Sequence, residues 1–536
     1  MDRLSSAHLV RPPKLALNKA GLHERLRATT LPAGVAGALR DDIDRVEDSN
    51  AVELARLERA VGLPWASSAR AGLDLADLQA ALERNLPLPA PTRERIVEFL
   101  AVWDGRTRHP NPAAGAAQTL LCLTGPRGVG KSAVARGIAS ALGRPLQNID
   151  LARLWSDEDF FGRDTAPGAL MRAFEAAGAT DVVIVLDGVD AFGERWRSDP
   201  YAVVQAVTDP ARRAAFRDPF YRVPFDFSSA LVIATAPWVH GLPGWVRDRL
   251  DLVELEGYAA AEKLHIATQS VLPSILAEWG VEPATLQIAD AALLALIRNY
   301  TADAGLRELE RLLRAIVRQA LVRVRLGGAP PLAIAPENLP EYVGRPPALL
   351  RGPRPNPRPG VVGALVVGRL GGEFELIEAS NMPGNGRLTF SSPHGTDTSM
   401  RLAVVSSYVR SRMSELAVSA RVVEEFDTHM QVPVGALPGD EGAIAVPATI
   451  ALISLLRDQV VDPELGVTGG MSLHGRVLGC DGLRHKMLAA HRAGIKRVLL
   501  PRVNERELDD LPPQLHDEMT FIPVDEIAQA LTVAFR

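Results

Sequence analysis

Along this chain the spacing of apolar residues changes period several times, and each change marks a boundary. From about residue 26 to 105 apolar positions recur at helical intervals, as in DDIDRVEDSNAVELARLERAVG, with a break at Gly62 and Pro64. DLADLQAALERNL predicts a second helix and TRERIVEFLAVW, after Pro91, a third. Residues 1–25 are polar and carry Pro12-Pro13, which predicts a mobile tail. RHPNPAAGAAQ is rich in turn formers and reads as a linker. Short apolar runs then alternate with turns and helices to about residue 258, the pattern of a parallel sheet flanked by helices. Residues 259–345 read as mostly helical, and in AGLRELERLLRAIVRQA the residues Leu306, Leu309, Leu313, Ile316 and Ala320 line one face. RPPALLRGPRPNPRPG, at 345–360, is a semi-rigid, extended linker, and a mixed α/β segment fills 361–536. No internal repeat is visible.

The length of 536 residues exceeds what one core supports and fits two to four domains. A net charge of −5 gives no global support for nucleic-acid binding, and RPPALLRGPRPNPR reads as a solvated linker. Cys122 and Cys480 are too few for a disulfide framework or a four-ligand zinc site and fit a reducing cytosol. The start MDRLSSAHLVRPPKLAL lacks an apolar signal core, and no run approaches the roughly 18 apolar residues of a membrane span. The expectation is a soluble, cytoplasmic protein without a membrane partner.

Chemistry concentrates first in TLLCLTGPRGVGKSAVARGIASALG. An apolar strand, Thr119 to Leu123, runs into Gly125-Pro126-Arg-Gly128-Val129-Gly130-Lys131-Ser132, and a helix follows with Val134, Ile138, Ala141 and Leu142 on one face. Glycines let backbone N–H groups turn inward around phosphate oxygens, and the helix N-terminus adds its dipole. Lys131 would reach the β/γ-phosphates and the Ser132 hydroxyl would ligate Mg²⁺, so ATP or ADP with Mg is the expected cofactor. A second buried strand, Val182 to Leu186, ends in Asp187-Gly188, which places Asp187 to hold the metal's hydration shell.

DTHMQVPVGALPGDEGAIAVPATIALIS, VGLPWAS, ELEGYAAAEKLHIA and MSLHGRVLGCDGLRHKMLAAHRAGIKRVLLP together resemble the Lon family of AAA+ proteins from about residue 26 to the C-terminus. The resemblance implies a multidomain α/β chain: an N-terminal helical segment (26–110), an AAA+ P-loop α/β domain (111–258), a helical lid (259–345), a Pro-rich linker (346–360) and a Lon-type α/β protease-like domain (361–536). The family's large globular N-domain has no counterpart. Arg249, in VRDRLDLVEL, matches the arginine finger presented to a neighbouring subunit, and Arg307, in AGLRELER, the lid's sensor-2 arginine. The family assembles as a hexameric ring, so self-association and protein clients are the expected partners.

Several positions depart from the family pattern. The nucleophilic serine falls on Ala443, while the dyad lysine is present as Lys486. Gly188 stands where a glutamate polarises the attacking water, with Asp190 as the one nearby substitute, and Pro237 replaces the sensor-1 asparagine. Gly442 and Gly470 also differ, and DFFGRDTAPGAL is shorter than the loop that grips translocating polypeptide. The Phe160-Phe161 pair is expected to pack into the core. Thr468, Thr449 and Ser454 lie near the dyad, none at the nucleophile position. Neighbours of Lys486 on its helix, Leu483, Met487 and Ala490, are expected to desolvate it and favour a neutral amine. The reading that follows is an ATP-binding scaffold or regulator with a pseudoprotease domain. The alternatives are an active ATP-dependent Ser–Lys protease carrying a serine-to-alanine change at 443, or an ATP-dependent chaperone.

Overall fold

The computed structural model describes residues 18–65, 74–85, 88–108, 119–191, 196–199, 201–239, 242–327, 331–347, 357–368, 371–391, 396–432 and 440–535. The linker RHPNPAAGAAQ lies almost wholly outside the described residues, as does most of the Pro-rich stretch 345–360.

Apolar runs between residues 120 and 254 build one sheet. Its strands are β1 (Leu120–Thr124), β2 (Leu146–Asp150), β3 (Val183–Asp187), β4 (Leu231–Ala236) and β5 (Leu250–Glu254), in the order β2-β3-β4-β1-β5. β2, β3 and β4 run parallel, with Asp150, Asp187 and Thr235 level at their C-terminal ends. All of β1 and β4, and β3 up to Leu186, are buried, because a parallel sheet covered on both faces needs continuous apolar strands. In such sheets ligands collect at the carboxyl ends, where Asp187 stands.

The chain folds as two compact units, one holding residues 1–123, 132–236 and 242–253, the other 124–131, 237–241 and 254–536. In the first, helices Lys19–Ala28, Ala33–Arg45 and Ala51–Val61 pack beside the sheet domain. The first helix begins inside the span read as a tail. Asn18 accepts the N–H of Gly21 at 2.9 Å, and Leu22 and Leu26 are buried. Arg59 grips Glu175 with two bonds of 3.0 and 2.7 Å, and buried Arg56 donates to the carbonyls of Phe220 and Tyr221.

The second unit contains the lid and the C-terminal domain. Lid helix Arg307–Arg325 buries Leu309, Leu312, Leu313, Ile316, Val317 and Ala320, one stripe at 3.6-residue spacing; Leu306 is its half-buried cap. A short parallel pair, Leu286–Ile288 with Leu332–Ile334, interrupts what the sequence suggests is mostly helix. The C-terminal sheet comprises β6 (Val361–Gly368), β7 (Gly371–Pro383), β8 (Leu388–Ser391), β9 (Phe426–Gln431), β10 (Leu465–Val467), β11 (Arg497–Pro501) and β12 (Thr520–Val524), ordered β8-β9-β7-β6-β10-β11-β12. Helix Ala445–Arg457 is buried on nearly every side, as its almost unbroken apolar sequence requires. No helix among the described residues is long and apolar enough to cross a membrane.

Candidate functional site

Residues 125–131 form a tight loop in which Gly125, Gly128 and Gly130 have φ of 126°, 88° and 99°. A Cβ on Gly125 would meet the Leu255 carbonyl oxygen at 2.0 Å, so only glycine fits there. The Lys131 ammonium curls back to the carbonyls of Gly125 and Pro126, at 2.5 and 2.9 Å. The lid holds the loop from behind: Leu306 N–H donates to Gly128 O at 3.0 Å, and the Tyr258 hydroxyl to Val129 O at 2.9 Å. Arg307 starts beside Gly128, its Cβ 3.0 Å from where a Cβ on that glycine would stand. The glycine nest, Lys131 and the neighbouring Arg307 therefore suit a chain of phosphates. Ser132, the next residue, is exposed.

At the end of β3, one oxygen of Asp187 accepts the Thr235 hydroxyl, leaving the other for a metal-bound water. Gly188 contributes only backbone: its N–H donates to the Thr235 carbonyl at 3.0 Å and hydroxyl at 3.2 Å, and its carbonyl accepts Ala191 N–H at 2.9 Å. Pro237 contributes only a carbonyl, accepting Gly125 N–H at 3.2 Å. Neither offers the side chain that would orient water. Arg249 sits just before β5, where its guanidinium donates to the Thr208 hydroxyl at 2.7 Å and lies 5.8 Å from the Trp245 ring centre.

Sequence reasoning missed a buried pair in the lid. Lys263 donates to the Asp303 carbonyl and faces its carboxylate at 3.8 Å. Burial drops the Lys263 ammonium to about 8 despite Asp303, and pushes the Asp303 carboxyl up. Because the folded lysine binds its proton less tightly than the unfolded one, the unfolded chain holds more protons from pH 8 upward. Stability therefore rises with pH from about 8 to about 9.5. Denaturation midpoints at the two pH values should show that rise in wild type and lose it in Lys263→Met.

The C-terminal domain buries both Ala443 and Lys486, with no hydroxyl at position 443. Ala443 closes a turn: its N–H donates to Asp440 O at 2.9 Å, and its carbonyl accepts Gly469 N–H at 2.8 Å. Lys486, on helix Leu483–Arg492, is fully buried, as are Leu483, Met487 and Ala490. Its ammonium donates to Asp440 Oδ1 at 2.6 Å. The expected desolvation is complete, and the nitrogen's near partner is a carboxylate. Burial pushes the Asp440 carboxyl up while the ammonium pulls it back, and Oδ2 accepts Val367 N–H at 2.8 Å. Asp440 stands three residues before Ala443 in GDEGA, which was the available signal. The nearby hydroxyls are engaged elsewhere. Thr468 points at the Cys480 sulfur (3.7 Å), Thr449 bonds the Ala445 carbonyl (2.8 Å) and Ser454 accepts Gly360 N–H (2.9 Å).

Phe160 is fully buried and packs edge-on to half-buried Phe161 at 5.1 Å. A two-residue-strand hairpin follows, Gly162–Arg163 with Ala166–Pro167, whose exposed tip is Arg163-Asp164-Thr165. Buried Asp218 pins its far end by accepting Gly168 N–H at 2.8 Å. The tip is thus short and polar.

Residues 121–255 match the AAA family model, ATPases associated with various cellular activities. Residues 277–330 match the Lon protease AAA+ ATPase lid domain, and 333–536 the Lon protease (S16) C-terminal proteolytic domain. The chain is 33% identical over 527 residues to a Lon protease of Methylocella silvestris, covering 96% of this chain and 64% of that protein. The chain belongs to the Lon family. It is also 32% identical to Lon protease 1 of Bacillus subtilis, over 95% of this chain and 66% of the relative, and 32% identical to a Lon protease of Methanosarcina barkeri, over 97% and 65%. This Lon-family chain thus spans just under two thirds of the length of those curated relatives, and its AAA+ domain is of the nucleotide-binding type.

Proposed function

We propose that this Lon-family chain holds nucleotide without cutting peptide bonds, acting in the cytoplasm as an oligomeric, protein-binding scaffold or regulator. The observation that carries the reading is Ala443 at the nucleophile position with Lys486 engaged by Asp440 at 2.6 Å. Acyl transfer by a Ser–Lys dyad needs a hydroxyl and an amine free to take its proton; position 443 has no hydroxyl, and the Lys486 nitrogen is engaged by a carboxylate. In the AAA+ domain, Lys131 and the loop N–H groups would hold phosphates, Ser132 and Asp187 would hold Mg²⁺, and Arg307 would sense the terminal phosphate. Mg²⁺ supplies charge neutralisation when bound. Arg249 would complete a neighbouring subunit's site in a ring, for which a hexamer is the expected size. Gly188 and Pro237 remove the water-orienting side chains, so nucleotide is retained more than turned over.

Isothermal titration of the purified chain tests this. Mg·ATP is expected to bind, and Lys131→Ala to weaken it by at least about tenfold, the worth of one charge-assisted phosphate contact. No detectable affinity at millimolar nucleotide would sink the reading. Steady-state ATP turnover well above the Lys131→Ala background would favour a non-cleaving chaperone instead. The relatives' name, Lon protease, keeps a second reading in view, an active protease carrying a serine-to-alanine change. A serine codon at 443 in the natural gene would favour it.

A further inference from the structure

Arg127 sits in the phosphate-binding loop and takes no part in any of its internal contacts. Its side chain is exposed and makes no hydrogen bond or ion pair with a described residue. The flanking loop is held in place. The Gly128 and Val129 carbonyls are tied to the lid through Leu306 and Tyr258. The Lys131 ammonium lies on the carbonyls of Gly125 and Pro126, the two residues immediately before Arg127. That ammonium is the group that pairs with β- and γ-phosphates in such loops, so its position marks the terminal-phosphate end of the cradle. Arg127 follows those two residues directly in the loop.

We propose that Arg127 is an additional phosphate ligand that makes this site discriminate nucleoside triphosphates from diphosphates. The proposal rests on the nucleotide-holding reading above and adds the residue that selects the ligand. A guanidinium presents a planar fork of donors matched to two phosphate oxygens, and its charge is permanent. The surroundings reinforce it. Arg307 is likewise exposed and begins beside Gly128, its backbone N–H bonded to Asp303. The acid beside the loop, Asp303, is buried and has an oxygen occupied by Glu308 N–H at 3.2 Å. Arg127, Lys131 and Arg307 thus supply three cations on or beside the loop, and a γ-phosphate is the part of the nucleotide that adds charge for them to meet.

The experiment is titration of the full chain with Mg·ATP and with Mg·ADP, in wild type, Arg127→Ala, Arg127→Lys and Lys131→Ala. Thermal melts confirm that each variant is folded, and Arg127→Gln replaces the alanine variant if that one is not. Arg127→Ala is expected to weaken ATP about tenfold while ADP changes by less than about twofold, with Arg127→Lys recovering part of the loss. An ATP-to-ADP ratio unchanged by Arg127→Ala, whether both affinities fall or neither does, overturns the assignment of Arg127 and leaves the nucleotide-holding reading intact. Wild type that binds neither nucleotide overturns both.

Discussion

Ala443→Ser is expected to leave the chain without measurable peptidase activity. Loss of the nucleophile alone lowers turnover about 10⁶-fold in serine proteases. Restoring the hydroxyl addresses only that half of the dyad. The other half requires Lys486 to accept the serine proton, and its nitrogen is fully buried 2.6 Å from the Asp440 carboxylate. That contact competes with the serine hydroxyl for the nitrogen. Fluorogenic-peptide and casein assays with Mg·ATP should therefore read the same for wild type and Ala443→Ser. Adding Asp440→Asn to the serine variant removes the negative charge and is the arm expected to show the first gain. ATP-driven casein degradation by Ala443→Ser alone, about 10³-fold above wild type, would mean that the ion pair opens readily and that the domain is a protease awaiting its serine.

Asp440→Ala is expected to destabilise the C-terminal domain by about 3–5 kcal/mol, because it leaves the Lys486 charge buried without a partner. The double variant Asp440→Leu with Lys486→Met should recover most of that loss, since removing both charges leaves nothing uncompensated. Hydrogen exchange at the Val367 amide, whose acceptor is Asp440 Oδ2, gives a local readout beside chemical denaturation. A single variant as stable as wild type would mean that the lysine finds water or another acceptor, and the site would then be more open than its burial indicates.

Legibility in the sequence followed chain distance. The P-loop could be read because its glycines, lysine and serine are consecutive and their backbone geometry is local. The lid helix could be read because Leu309, Leu313, Ile316 and Ala320 repeat at helical spacing and are buried. The start of the first helix was misplaced because Asn18 lies in a polar stretch whose capping role depends on Leu22 and Leu26 finding a core. The lid pair Lys263 and Asp303 was missed because two charged residues in a helical segment read as a solvated face unless their neighbours are known to bury them.

Around Ala443 and Lys486 the division is sharp. The sequence by itself determined which atoms are absent: no hydroxyl at 443 and no side-chain donor or acceptor at 188 or 237. An absent atom needs no geometry to be recognised. Only the tertiary structure decided what the surviving groups do, because a buried charge takes whichever opposite charge the fold brings within reach. Lys486 has Asp440, 46 residues away, for that partner. The fold buries both groups and sets them 2.6 Å apart.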